Sequence, residues 1–171
     1  MITVNSVLGN IRRQAEFTKK FEEMKEKQLC ETITITRLES QRVRMRKTTN
    51  KGTDVGIDLP KGTKLRHGDV VLQENDKMIV VEIEPEDVLH VKVKENIPHH
   101  HAVEVPIRLG HTIGNLHRPL KLDHDSVYFP IQSDDEVNMF KTFFGSIAEY
   151  LELNKIKIVF EPEEGMDVHE H

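Results

Sequence analysis

The sequence predicts an α+β protein, with a small all-β domain over residues 1–85 followed by a ferredoxin-like βαββαβ domain over residues 86–160. Three observations predict it. Short apolar segments separated by turn residues roughly every 8–12 positions fill the first half, the signature of a small all-β domain. The stretch Glu84-Pro85-Glu86-Asp87 then breaks the pattern and marks a boundary between Ile83 and Val88. Beyond it, segments of period two and segments of period near 3.6 follow one another as β-α-β-β-α-β.

In the first half, a charged stretch carries Phe17, Phe21 and Met24 at helical spacing, and Thr32 to Thr36 alternates as a half-buried strand. Val43 to Met45 continues that rhythm less clearly. Asn50-Lys51-Gly52 and Pro60-Lys61-Gly62 are turns on either side of a short strand, Val55 to Leu59. His67-Gly68-Asp69 leads into Val70-Val71-Leu72, and Glu74-Asn75-Asp76 turns the chain into Met78 to Ile83.

In the second half, Val88 to Val93 reads as a strand and Val103 to Ile113 as a helix. Its apolar positions are Val103, Ile107 and Ile113, with Val105 and Leu109 nearby. Pro106 must fall in its first turn, where a missing N–H matters little. Gly114 and Asn115 are natural residues to end it. Leu120 to Leu122 and Val127 to Phe129 form a hairpin around an acidic turn. Ser133 and Asp134 open a second helix whose apolar stripe is Val137, Phe140, Phe144, Ile147 and Leu151. Ile156 to Phe160 is the closing strand, and residues 161–171 form a polar, histidine-bearing tail expected to be flexible.

Composition narrows the function. The chain has 171 residues, 37% hydrophobic and 31% charged, without tryptophan, which suits two small domains better than one large core. Small domains often gain stability by associating, so a dimer is plausible on size. A net charge of −5 argues against nucleic-acid binding, and the basic run Arg42 to Lys47 reads as an exposed strand or loop. Cys30 is the single cysteine, so neither an internal disulfide nor a thiolate metal cluster is expected. Neither a signal peptide nor a stretch approaching the ~18 apolar residues of a membrane span is visible, and the expected compartment is the cytoplasm. Ten histidines against one cysteine favour borderline ions such as nickel, zinc or copper(II) over softer ones.

No phosphate-binding loop, nucleophile elbow or zincin helix occurs, so no enzyme is expected. The histidines fall into groups. His169 and His171 form an H-x-H whose two rings can reach one ion from an extended tail, or an unstructured end that happens to carry two imidazoles. His99, His100 and His101 are adjacent, and three adjacent rings diverge on a regular backbone, so an exposed polar connection is the better reading and a low-affinity accessory role the alternative. His117, just past a helix end, reads by itself as structural. His67, His90, His111 and His124 are scattered, and His111 is best placed to share the surroundings of His117.

Three motifs carry a resemblance. Thr53 to Gly62 followed by Leu65 to Asp69, then Ile113-Gly114-Asn115-Leu116-His117-Arg118-Pro119-Leu120, then Phe160-Glu161-Pro162, resemble in order the motifs of the urease accessory metallochaperone family. The resemblance implies a β-rich partner- or peptide-binding domain and a ferredoxin-like domain that binds metal and dimerises. It implies delivery of Ni2+ to apo-urease through the accessory GTPase complex. It makes His117 the interface histidine that shares nickel with its symmetry mate, and His169 and His171 the tail ligands, with His111 a possible accessory.

The chain also departs from the family pattern. Leu116 stands where the family has arginine, His111 is offset by one from a second histidine that some members carry at Thr112, and Ile131 and Ser133 replace a histidine pair of others. The tail is short, which favours one or two ions per dimer over storage. Zn2+ and Cu2+ would compete for the same ligands. Only neutral imidazole coordinates, so affinity should fall as pH drops through about 6.5. The rival readings are a metal-free protein-binding adaptor and a zinc or copper buffer.

Overall fold

A computed structural model describes residues 1–163 and 165–166. The chain divides into two compact units, Met1–Glu84 and a second beginning at Pro85. The molecule is α+β, with a β-rich first unit and an αβ second unit.

The first unit holds two sheets. One contains β1 (Ile2–Val4), β4 (Arg44–Thr48) and β5 (Asp54–Asp58) in the order β1-β5-β4. The other contains β2 (Gly9–Asn10), β3 (Cys30–Ile35), β6 (Asp69–Gln73) and β7 (Met78–Ile83) in the order β2-β6-β7-β3. Strand β7 is one of the two internal strands, and Met78, Ile79, Val80 and Val81 are all buried on it. Met78 and Val80 lie in a cluster with Met24 of helix α1 (Ala15–Glu26), against which Phe17 and Phe21 also pack. The helical spacing of those three residues thus seals one face of the sheet. Strands β1 and β2 precede every recognisable motif, and residues before about 30 had suggested only the helix.

Strand β3 alternates as expected, but its inward row is Glu31, Ile33 and Ile35. A buried carboxylate is tolerated only if its lone pairs are filled. Thr49 Oγ1 donates to Glu31 Oε2 at 2.6 Å, and Lys77 Nζ lies 3.0 Å from Oε1. Lys77 also donates to Thr53 at 3.2 Å, so the network joins β3 to the turn between β4 and β5. Burial by itself would raise the pKa of Glu31, but the hydrogen bonds from Thr49, Thr53 and Lys77 outweigh it and bring the pKa down to about 2.

The motif His67-Gly68-Asp69 is scaffold. Gly68 has φ +87°, and a Cβ there would lie 3.1 Å from side-chain carbons of Ile11 and Arg12. Asp69 Oδ1 accepts from Asn10 Nδ2 at 2.8 Å and its Oδ2 from the Arg66 N–H at 2.7 Å. His67 Nδ1 accepts the Ile83 N–H at 3.0 Å, which assigns this histidine to backbone support.

The second unit comprises β8 (Glu86–Val93), α2 (Glu104–Asn115), β9 (Lys121–Asp123), β10 (Ser126–Pro130), α3 (Asp135–Phe144) and β11 (Leu151–Ile158). The sheet order is β11-β8-β10-β9 with every neighbouring pair antiparallel. This is the ferredoxin-like arrangement expected from the βαββαβ order. One core joins Leu89 and Val91 of β8, Val127 and Phe129 of β10, Val105, Leu109 and Ile113 of α2, and Phe140 and Phe144 of α3.

Several element bounds differ from expectation, each for a physical reason. Glu86 and Asp87 belong to β8, because Ile158 and Lys157 of β11 pair with them. The last strand runs over Leu151–Ile158, not residues 156–160, because all eight of its residues find partners on β8. Helix α3 stops at Phe144, where Gly145 takes φ +54°, so Ile147 and Leu151 are buried in the core from a 3₁₀ turn and from β11. Asp134 is the N-cap of α3, but its carboxylate bonds Lys155 instead of the helix amides. Helix α2 buries the row Val105, Leu109 and Ile113, whereas Val103 and Ile107 are 69% and 64% exposed. Both rows have helical spacing, and the sequence alone does not say which one meets the sheet.

Replacing Glu31 by Gln should lower the stability of the chain at neutral pH by about 1–3 kcal/mol, because Lys77 loses its buried counter-charge. The wild-type contribution is present above the ordinary value of 4.5 and is lost as pH falls towards about 2. Urea unfolding of both proteins across that window should show the difference narrowing as acid is added.

Candidate metal centre

The residue singled out by the sequence, His117, sits where α2 ends. The helix ends on Gly114 and Asn115, its last two residues, and Leu116 is the C-cap. His117 follows with φ +50°, the left-handed conformation that glycine usually supplies at this position. Its N–H donates to the Gly114 carbonyl at 3.0 Å, and the Arg118 N–H reaches the Ile113 carbonyl at 3.4 Å. These two bonds form the Schellman pattern that satisfies helix-end carbonyls. Pro119, buried just beyond, prevents the helix from resuming.

The turn is anchored from below. Arg118 Nη2 donates to Glu136 Oε1 at 2.8 Å, and each side chain is 13% exposed. Arg118 Nη1 also reaches the Pro130 carbonyl at 3.4 Å, and Glu136 Oε2 accepts the Gln132 N–H at 3.0 Å. The α2–β9 turn, the end of β10 and the first turn of α3 are therefore tied at one point. The imidazole of His117 is exposed, and no hydrogen bond to it occurs among the described residues. This departs from the structural role that the bare sequence position suggested.

His111 is also exposed, on α2 one helical turn before Asn115, and the Asn115 Nδ2 lies 3.0 Å from its Nε2. As the amide is oriented, that ring lone pair is engaged. His169 and His171 lie outside the described residues. Among the described residues, no three or more His, Cys, Asp or Glu side chains gather to enclose an ion.

The remaining histidines divide by partner. His90 stacks on Tyr128 with centroids 4.6 Å apart and planes 11° from parallel. His124 has φ +53° in the β9–β10 turn, and its Nδ1 lies 2.7 Å from Asp123, whose hydrogen bond and charge raise the imidazole above its ordinary range. Cys30 is half-buried, and burial pushes its thiol up, away from the reactive thiolate form. The Arg118–Glu136 pair was not anticipated from the sequence. Its available signal was an acid in the first turn of α3, a position that helix-dipole effects alone already favour.

Helix α2 carries a second feature around the same turn. At 100° per residue, Val103, Ile107, Gly110 and Gly114 fall on the face opposite the buried row. Among the described residues, and apart from the helix's own backbone and the adjoining residues, no heavy atom lies within 4 Å of a Cβ built at either glycine. An apolar, small-residue strip therefore runs exposed along the helix towards His117.

Comparison with known proteins follows the same division of the chain. Residues 4–84 match the family model of the UreE urease accessory protein, N-terminal domain. The chain is 29% identical over 136 residues to the urease accessory protein UreE of Yersinia mollaretii. It is 28% identical over the same length to that of Yersinia pestis (strain Pestoides F). Each match covers 77% of this chain and 57% of the relative, so the chain spans little more than half the length of these curated relatives. A crystal structure of a hypothetical protein from Neisseria gonorrhoeae aligns at 15% identity over 77% of this chain and 95% of that one. Its TM-score is 0.26, and it carries no argument. The fold and the turn at position 117 define a two-domain α+β protein that displays imidazoles on a ferredoxin-like unit. The chain is similar to the UreE urease accessory proteins, most directly over residues 4–84.

A histidine held in the left-handed region is strained relative to glycine. His117→Gly should therefore be more stable than His117→Ala by about 1 kcal/mol. Equal urea midpoints for the two variants would show that the turn does not hold this conformation.

Proposed function

We propose that the chain is a non-enzymatic nickel carrier acting in urease assembly, and that it works as a homodimer with His117 from each subunit facing the other. The observation that carries this reading is the exposed His117 ring, fixed by a Schellman turn at the end of an exposed apolar strip on α2. Ile107, Gly110 and Gly114 allow close approach of a second helix, and a twofold contact there would set two imidazoles beside one axis. The donor set fits the cargo, since exposed imidazole nitrogen suits nickel and the chain's one thiol is half-buried in the other unit.

Holding and release make opposite demands on such a carrier. The rigid turn supplies preorganised ligands whose geometry costs little to assemble. His169 and His171, with His111 as an accessory, would complete the coordination and then yield the ion to a partner. Zinc and copper(II) would compete, because ligand type does not by itself select nickel. The partners are then apo-urease and its accessory GTPase complex, and the compartment is the cytoplasm. Among the described residues, no helix is long and apolar enough to cross a membrane.

The reading is tested by sedimentation and nickel calorimetry together. The wild type should sediment as a dimer and bind nickel, and His117→Ala should keep the dimer while losing the tightest site. Ile107→Asp should give monomers and weaken nickel binding by about tenfold or more, since the paired ligands separate. Nickel affinity unchanged in His117→Ala would overturn the assignment, and a wild type that retains no nickel would leave a protein-docking adaptor.

A further inference from the structure

The triplet His99–His101 forms a single 3₁₀ turn leading into α2. Successive side chains on such a turn project roughly 120° apart, so adjacent rings should diverge. His100 and His101 do not: their ring centroids are 4.1 Å apart, tilted by 47°. The convergence has a cause in the next turn. His101 Nδ1 lies 2.8 Å from Glu104 Oε2. An ionised carboxylate can only accept, so Nδ1 carries the proton and the Nε2 lone pair of the neutral ring is directed away from Glu104.

The carboxylate is itself held. Arg108 Nη1 donates to Glu104 Oε1 at 3.1 Å and to Ser146 Oγ at 3.1 Å. Tyr150 backs the ring of His101 with centroids 5.1 Å apart. An imidazole oriented by a carboxylate on one nitrogen, with the other nitrogen open, is the arrangement that metal-ligating histidines use. A helix-capping role for His101 alone would leave the approach of His100 unexplained.

We propose that His100 and His101 form a second, open site for a borderline divalent ion of the nickel, copper(II) or zinc class. Glu104 acts as the positioning residue for His101. Two imidazoles supply the protein ligands and water supplies the rest, so the site binds and exchanges quickly, as a point of entry would. The positive end of α2 disfavours a cation there, and the Glu104 carboxylate offsets it. The site is independent of the reading of position 117.

His124 provides an internal control. It is an exposed ring with the same kind of carboxylate partner, Asp123 at 2.7 Å, and among the described residues it has no ring contact with a second imidazole. The full-length protein, wild type and His117→Ala, is titrated with Ni2+ while the histidine ring resonances are followed by NMR. In both proteins the His100 and His101 signals should respond at a nickel concentration about tenfold or more below that needed for His124. His100→Ala should bring the response of His101 up to that of His124, and Glu104→Gln should weaken it by about tenfold. Responses of His101 and His124 at the same concentration in the wild type, or no effect of His100→Ala, would overturn the proposal. All the substituted side chains are at the surface, and circular dichroism confirms that each variant is folded.

Discussion

A half-buried ion pair, Arg118 with Glu136 at 2.8 Å, holds together the part of the second unit on which the candidate site is built. Three segments meet there: the end of α2, the end of β10 and the start of α3. Pairs of this kind contribute uncertainly to net stability, because desolvation offsets much of the attraction. Their geometric effect is clearer. Both oxygens of Glu136 and both terminal nitrogens of Arg118 are engaged, next to a backbone conformation at 117 that suits glycine better than histidine. A strained residue that persists because its surroundings determine it points to a use for its side chain.

The histidines show how similar residues are given different tasks by their backbone setting. His67 accepts a main-chain N–H, His90 stacks on tyrosine, and His124 occupies a turn. Each is accounted for by local structure. His101 is held through one ring nitrogen beside a second imidazole, His100, and His117 is exposed at the end of a helix. The same economy appears in α2, where one row of apolar residues builds the core and the opposite row is left at the surface.

Much of the fold was legible because period-two and period-3.6 patterns survive in short elements. β3, β7 and the hairpin turns fall where alternation and turn residues place them. The misplaced bounds have a common origin. Ile147 and Leu151 keep helical spacing after the helix has ended, because burial depends on which side chains reach the core and not on which element carries them. The exposed row on α2 was misjudged for the same reason, since a helix with two apolar rows does not declare which one faces the sheet. The candidate site was singled out as one residue, His117, through the resemblance of Ile113 to Leu120 to a family motif, and residue spacing carried nothing of its geometry.

By itself, the sequence determined the α+β class, the strand and helix order of the ferredoxin-like unit, and the stock of imidazoles available to a metal. These are local or compositional properties, and short windows of residues contain them. Tertiary structure alone decided that His117 would end the helix in a left-handed turn, that Arg118 would find Glu136 eighteen residues away, and that His100 and His101 would converge. The first depends on one specific backbone angle, the second on a contact between segments distant in the chain, and the third on the side-chain contact of His101 with Glu104. None of the three is written in residue spacing.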